Sequence, residues 1–441
     1  MSIRSEDSLA IQAPGEPSRP SMFNVMRALP ISAAHRKVLY TFLTSFSVFA
    51  SFAVQGIILA NLLGRQGRGE YATTVFYPQI LLYVGFLGAI EIVAWYAGQK
   101  NVDLLPLRRA AFRLGLFTGF LTMAVAIVLS MTLVPESKRQ LIWLCLLCAT
   151  ALPFQSLLQV SIAVDRGSNN FSRYNSIRLF GALVLPLMLI VCWLTGQHSL
   201  PLICLLFVLS SIIGAIPCLW RMERKLSPAA PSIPRLLGKG KQYAVSMLAS
   251  EIFERMDIAM FFFLTSLGTQ GCYAAIVPAA HVLIIIPNAL GMFTFNVGAD
   301  AQRRVTVREA TIGMAGTFVL QALIACAFAA VIGFLILLLY GEEFRPAIPL
   351  MYALIPAISI KGFLQGVEGY LKGRGKAHLG TYARLIAAVI MLACVYALRN
   401  TFELEGLHIP ISAGIAQCFC LFWIVTAVFI DVIERNRKED A

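Results

Sequence analysis

Leu63-Gly64-Arg65-Gln66-Gly67-Arg68-Gly69-Glu70-Tyr71-Ala72 follows the first long apolar run of this chain. In the second half, Leu267-Gly268-Thr269-Gln270-Gly271-Cys272-Tyr273-Ala274 follows another. Both supply Leu-Gly, then Gln-Gly, then Tyr-Ala at the head of a new apolar run, and the first copy carries two extra residues. Arg166-Gly167 with Tyr174 and Arg374-Gly375 with Tyr382 repeat the relationship at a single offset of 208. A residue without Cβ tolerates positive φ, so these glycines are expected to turn the chain tightly between helices. A duplication of this kind implies two lobes of like topology that face one another.

What lies between the repeats sets the class. The chain has 441 residues, 58% of them hydrophobic and only 13% charged, with a mean hydropathy of +0.75. A soluble domain carries about 25% charged residues. Apolar runs long enough to cross about 30 Å of hydrocarbon recur along almost the whole sequence. The expected fold is all-α and polytopic, about 12 transmembrane segments in two pseudo-symmetric six-helix bundles. They are drawn at 38–63, 72–98, 112–134, 140–164, 176–195 and 199–220, then 241–267, 272–298, 311–340, 346–371, 378–399 and 406–431. Residues 1–37 form a disordered cytoplasmic tail, with no apolar core of a signal peptide in 1–30. Residues 38–220 form the N-terminal lobe, 221–240 a cytoplasmic linker, 241–431 the C-terminal lobe and 432–441 a second cytoplasmic tail. The linker is marked by the six basic residues and three prolines between Arg221 and Lys241. External connections are short, so no extracytoplasmic domain is expected.

The net charge of +13 raises the question of nucleic acid, and its distribution answers it. With the N-terminus in the cytoplasm, 27 of the 36 Lys and Arg fall on the cytoplasmic side, six on the other, and three within segments. That asymmetry follows the positive-inside rule, with anionic membrane lipids as neighbours and no nucleic-acid partner.

Charge inside the membrane is the candidate chemistry, because an ionised side chain at mid-bilayer costs about 2.5–3.5 kcal/mol on insertion scales. Segment seven carries Glu251, Glu254, Arg255 and Asp257 within two turns. Glu251 and Arg255 are four apart and can pair on one face. So charged a face cannot point at lipid; it faces the other lobe or a wet cavity. Lys361 lies near the centre of segment ten, Glu368 two turns below it on the same face, and Glu91 in the inner third of segment two. Arg255, Lys361 and Arg384 could attract an anionic substrate group. Glu251, Glu254, Asp257, Glu91 and Glu368 could hold a coupling ion, H⁺ or Na⁺, or orient the cations. The bland alternative is that these charges pair off, Lys361 with Glu91 for instance, and only pin helix packing. Arg384, Asp300 and Arg178 lie near the inner interface, where they are free to snorkel. Pro78, Pro153, Pro186, Pro278, Pro287 and Pro356 fall inside segments as packing bends or hinges.

Enzyme signatures are absent from the sequence. Gly238-Lys239-Gly240-Lys241 and Lys372-Gly373-Arg374-Gly375-Lys376 do not fit a phosphate-binding loop, and the five histidines form no H-E-x-x-H. Cys145 and Cys148 form a C-x-x-C within an apolar helix, where small packing residues are the expected reading and no metal site is. No cofactor is expected.

The repeated Leu-Gly…Gly…Tyr turn resembles the pattern of the multidrug/oligosaccharidyl-lipid/polysaccharide (MOP) exporter superfamily. So do Leu339-Tyr340-Gly341-Glu342-Glu343-Phe344, Leu371-Lys372-Gly373-Arg374-Gly375 and Glu254-Arg255-Met256-Asp257, within which the chain is most similar to O-antigen polysaccharide flippases of the Wzx type. The resemblance covers residues 38 to 431 and departs at Gly406–Gly414, where the family has a Pro-x-x-Gly turn. It implies a MATE-like V of two bundles in a bacterial inner membrane, moving undecaprenyl-diphosphate-linked oligosaccharide to the periplasmic leaflet by alternating access. Lipid-linked oligosaccharide, membrane lipids, a polysaccharide polymerase and glycosyltransferases are the partners it implies. The alternatives are a cation-coupled drug or metabolite antiporter of the same superfamily, and a non-transporting scaffold for polysaccharide assembly.

Overall fold

A chain in hydrocarbon must satisfy its peptide groups internally, and this one does so with helix almost throughout. The computed structural model describes residues 33–86, 88–99, 103–219, 233–300 and 305–440. The first half contains α1 (Ala33–Gly85), α2 (Ala89–Ala97), α3 (Leu104–Leu133), α4 (Ile142–Ala149), α5 (Leu152–Gly167), α6 (Phe171–Leu194) and α7 (Leu200–Leu219). The second contains α8 (Ile233–Leu264), α9 (Leu267–Ala280), α10 (Ile285–Ala299), α11 (Val307–Tyr340), α12 (Ala347–Gly373), α13 (His378–Leu398) and α14 (His408–Asp440). Among the described residues, nine helices are long and apolar enough to cross a membrane, or ten if the bent pair ending in α4 and α5 is one span. The result is an all-α, polytopic membrane protein.

The first turn is shorter than the sequence suggests. α1 continues through the repeated stretch with one non-helical residue, Gly64 at φ 63° and ψ −175°. Its 44-residue apolar part would be about 66 Å long if straight, twice the hydrocarbon thickness, so it has to fold back at Gly64. The contacts trace that path. Thr41 accepts from Asn175 near the start of α6, Leu62 meets His198 just past its end, and Glu91 then meets Arg166 just before its start. In the second copy the helix begins at Leu267, capped by Ser266, so Gly268 and Gly271 lie within α9 rather than in a turn.

The two halves repeat one contact scheme. In the first, α1 packs on α6, and α5 packs on α2, α3 and α7. In the second, α8 packs on α13, and α12 packs on α10, α11 and α14. α6 on α7 and α13 on α14 complete the correspondence. Between halves, α1 packs on α9, and α2 on α8. Gly167 closes α5 against α2, where an added methyl would lie 2.0 Å from the Ala94 carbonyl oxygen. Gly373 does the same for α12 against Phe295 of α10.

Helix ends depart from expectation in three places. α8 starts at Ile233, inside the segment expected to be linker, and α14 continues to Asp440 through the expected tail. Pro153 sits in the first turn of α5, where its missing N–H costs nothing, and not in a helix interior. Residues 1–32, most of the expected N-terminal tail, and 220–232, with three of the six basic residues that mark the linker, lie outside the described residues. Outward-facing Phe334, Phe422 and Tyr396, 68%, 73% and 82% exposed, form part of the surface left for lipid.

Candidate substrate cavity

Where α1, α5, α6 and α7 of the first half face α8, α9 and α12 of the second, they enclose a cavity of about 760 Å³. The end of it toward which α1 runs from Ala33, and from which α14 runs to Asp440, is closed by the repeated stretches themselves. A methyl group on Gly69 would lie 1.8 Å from the Leu267 carbonyl oxygen, and one on Gly271 would lie 2.0 Å from that of Arg65. Only residues without Cβ at positions 69 and 271 let the backbones come so close.

Polar groups reinforce this clamp. Lys138, 1% exposed, donates to the Phe262 carbonyl (2.5 Å) and to Gln270 Oε1 (2.7 Å), and Gln270 Oε1 also accepts from Thr73 at 3.1 Å. Arg68 donates to the Ala274 carbonyl at 2.9 Å, and Asn61 to that of Leu339 at 2.8 Å. Phe76 and Phe262 stack with centroids 3.8 Å apart. Glu405, in the loop between α13 and α14, accepts from the hydroxyls of Ser266 and Thr269 (both 2.6 Å) and from the Ser266 amide at 2.7 Å. Burial alone would raise its pKa, but these hydrogen bonds hold the carboxyl below the usual glutamate range.

Of the eight candidate charged residues, four line the cavity together: Glu254, Arg255, Asp257 and Lys361. Each already has a partner. Arg255 Nε lies 3.0 Å from Glu251 Oε2, and its guanidinium sits 4.1 Å from the centroid of Tyr83, across the interface between halves. Lys361 Nζ lies 3.1 Å from Glu254 Oε2, so the Lys361–Glu91 pair considered from sequence does not form. Asp257 accepts from the Tyr273 hydroxyl and from the amide of Ile258. Glu251 reaches the site only through Arg255.

The remaining three stand apart. Arg384 does not snorkel: it makes a two-pronged bond to Glu368, which is 1% exposed, and a third to Ser250 at 3.3 Å. Glu91 pairs with Arg166 at 2.9 Å, and its side chain is 44% exposed. None of Arg384, Glu368 and Glu91 is part of the cavity wall.

Several wall residues have no part in the site as read from sequence, where Arg178 reads as a snorkelling cation. Arg68 and Arg178 bring the basic residues of the wall to four, with Arg255 and Lys361, against the two carboxylates Glu254 and Asp257. His281 lines it too, its Nδ1 2.8 Å from the Val277 carbonyl oxygen. The one signal that could have found Arg178 is its spacing with Tyr174, Gly181, Ala182 and Leu185, a helical stripe that reads as one face. Among the described residues, no group of three or more His, Cys, Asp or Glu is placed to hold a metal ion.

Two facing halves with repeated contacts thus share one polar cavity with a sealed end. Comparison with known proteins specifies the fold. No protein-family model and no curated protein sequence matches the chain. Solved structures do. The lipid II flippase MurJ in an inward closed conformation superposes with a TM-score of 0.68 at 12% identity, over 88% of this chain and 89% of that one. An inward-facing multidrug resistance transporter of the MATE family gives 0.64 at 12% identity, over 87% and 95%. A MOP-superfamily transporter from Pyrococcus furiosus gives 0.63 at 14% identity, over 94% and 99%. The fold is that of MOP-superfamily transporters.

Proposed function

We propose that the chain carries a membrane-embedded, amphipathic substrate by alternating access. The observation that supports this most is the cavity built from both halves and closed at one end by the repeated stretches. Rocking the halves apart there while closing them at the other end exposes the same residues to the opposite side. With the termini cytoplasmic, as the positive-inside count places them, the closed end is periplasmic and the structure faces inward.

Two readings of the substrate follow. A cation-coupled drug or metabolite antiporter has the wider support from fold comparison, since multidrug MATE transporters match in both inward- and outward-facing conformations. It would use Glu254 and Asp257, the carboxylates of the wall, to bind the coupling ion and the cationic compound in turn. A flippase for undecaprenyl-diphosphate-linked oligosaccharide in a bacterial inner membrane, working beside a polymerase and glycosyltransferases, is supported by the fold of MurJ and by the basic surplus of the wall. The polar headgroup would cross inside the cavity while the lipid tail stays in the bilayer.

One pair of assays separates them. The chain is expressed in a strain deleted for its polysaccharide flippase and in a strain deleted for its drug exporters. Restored surface polysaccharide, lost with Lys361→Ala, supports the flippase. Restored resistance to cationic dyes, lost with Asp257→Asn but kept with Arg255→Ala, supports the antiporter. Surface polysaccharide that survives neutralisation of Glu251, Glu254, Arg255 and Asp257 together means a scaffold and overturns transport.

A further inference from the structure

The two walls of the cavity differ in chemistry. Both carboxylates, Glu254 and Asp257, belong to α8 in the second half, and the wall from the first half has none. In their place the first half supplies four glutamines: Gln55, Gln79, Gln155 and Gln159. Gln155 donates to Ser211 at 3.0 Å. The amides of Gln55, Gln79 and Gln159 make no hydrogen bond with the described residues, although a desolvated amide facing lipid or a dry core would be costly. A neutral group that both donates and accepts complements a hydroxyl without attracting a counter-charge.

The cations of the cavity separate in the same way. Arg255 and Lys361 are neutralised by Glu251 and Glu254. Arg68, 7% exposed, is packed into the clamp and spends Nη2 on the Ala274 carbonyl. Arg178 has no carboxylate partner among the described residues. Its guanidinium lies 5.0 Å from the centroid of Tyr174, with only a 3.5 Å contact to the Ser45 hydroxyl. Its depth is fixed by packing: Leu158 reaches Gly181, and Ile162 clusters with Ile177. α5 and α6 run in opposite senses, so Gln159 and Arg178 lie at one level on the cavity-facing stripes of adjacent helices.

We infer that Arg178 and Gln159, with Gln155 one turn away, form a subsite for an anionic group that carries neighbouring hydroxyls: a phosphorylated or carboxylated sugar. The guanidinium binds the anion and the amides bind the hydroxyls. This assignment rests on the alternating-access reading for its purpose, not for its geometry. Phosphate of this kind could arrive on a lipid or in a soluble molecule, and the two sources are tested side by side.

The test measures binding by the purified full chain in lipid nanodiscs. The probes are a prenyl-diphosphate disaccharide, the same diphosphodisaccharide without its prenyl chain, and prenyl diphosphate without sugar. Arg178→Ala is expected to weaken all the probes that bind by about ten- to a hundredfold, the loss of a charge-assisted hydrogen bond. Arg178→Lys should recover part of that loss. Gln159→Leu should weaken only the sugar-bearing probes, by about tenfold. Loss on the prenylated probe alone assigns the subsite to a lipid headgroup, and equal loss on the free probe assigns it to a soluble anion; both support it. Wild-type affinity in an Arg178→Ala chain that melts at the wild-type temperature overturns it. So does a wild-type chain that binds none of the probes, even if it extrudes ethidium and thereby keeps the transport reading. A chain that binds through Arg178 but moves nothing across vesicles keeps the subsite and removes transport.

Discussion

Gly69 and Gly271, each two residues before the tyrosine of its copy of the repeated stretch, press backbone against backbone: a methyl group on Gly271 would come within 2.8 Å of the Gly69 amide nitrogen. The repeat is therefore its own partner. Each copy supplies the flat surface that the other requires, so the contact between halves is pseudo-symmetric because the sequence is. Side chains at either site cannot be accommodated by rotamer change, since the obstacle is backbone carbonyl and amide.

Gly271→Ala should therefore force the halves apart at this end. The expected cost to the closed state is about 1–3 kcal/mol, typical of overpacking. Disulfide formation between cysteines at Thr73 and Gln270 reports it: rapid with Gly271 intact, slowed with Ala. Unchanged cross-linking would mean that the glycine contact is not what closes this end of the cavity.

The pair of Lys361 and Glu254 makes a second prediction. Glu254→Gln leaves Lys361 facing the cavity without its neutralising carboxylate, and Lys361→Gln does the converse. If the two act as a pair, the double substitution should be milder than the sum of the singles, by a coupling of about 0.5–3 kcal/mol. Melting curves of the four proteins in detergent give that number directly. Strict additivity would place the two side chains in separate tasks.

How much of this was legible beforehand differs from residue to residue. The duplication was legible because glycine and apolar runs are local signals, and so was the charged face of α8, because lipid excludes it. The turn at 63–72 was misjudged in extent, since one residue at positive φ, Gly64, reverses the chain and leaves Gly69 free for close packing instead. Partner choice was not legible. Lys361 meets Glu254 rather than Glu91 because helix rotation is set by packing between elements about a hundred residues apart. Arg178 looked like a snorkelling cation because position along a helix gives depth but not which face reaches the cavity. Glutamine, uncharged and common, gave no signal at all until the wall was assembled.

Glu405 gives the protein a pH dependence outside the membrane. Its folded pKa lies below the ordinary value of 4.5, so the stability it adds is complete above about pH 4.5 and is lost as the pH falls through the depressed folded value. Its three hydrogen bonds tie the loop before α14 to the start of α9. Glu405→Gln should lower the melting temperature near neutral pH and flatten its dependence over the acid range. A variant with the same steep acid profile as wild type would assign that profile to other carboxylates.

Lys138 carries the sharpest expectation for the conformational cycle. Its ammonium is buried and donates to the Phe262 carbonyl, from α8, and to the Gln270 amide oxygen, from α9, with the Glu405 carboxylate near enough to attract it. Both acceptors come from the second half, whereas Lys138 follows α3 in the first, so the bonds exist only while the halves are closed at this end. Opening there hydrates the ammonium and frees both acceptors, which offsets part of what is lost. Lys138→Met removes the bonds but keeps the apolar stem, and leaves the Phe262 carbonyl unsatisfied in the closed state at a cost of about 1–3 kcal/mol. The closed population should fall by about ten- to a hundredfold relative to the open one. Spin-label distances between Asn61 and Leu339, which meet across the same end, would register the change as a longer component. An unaltered distance distribution in Lys138→Met would show that the glycine contact alone holds the halves together.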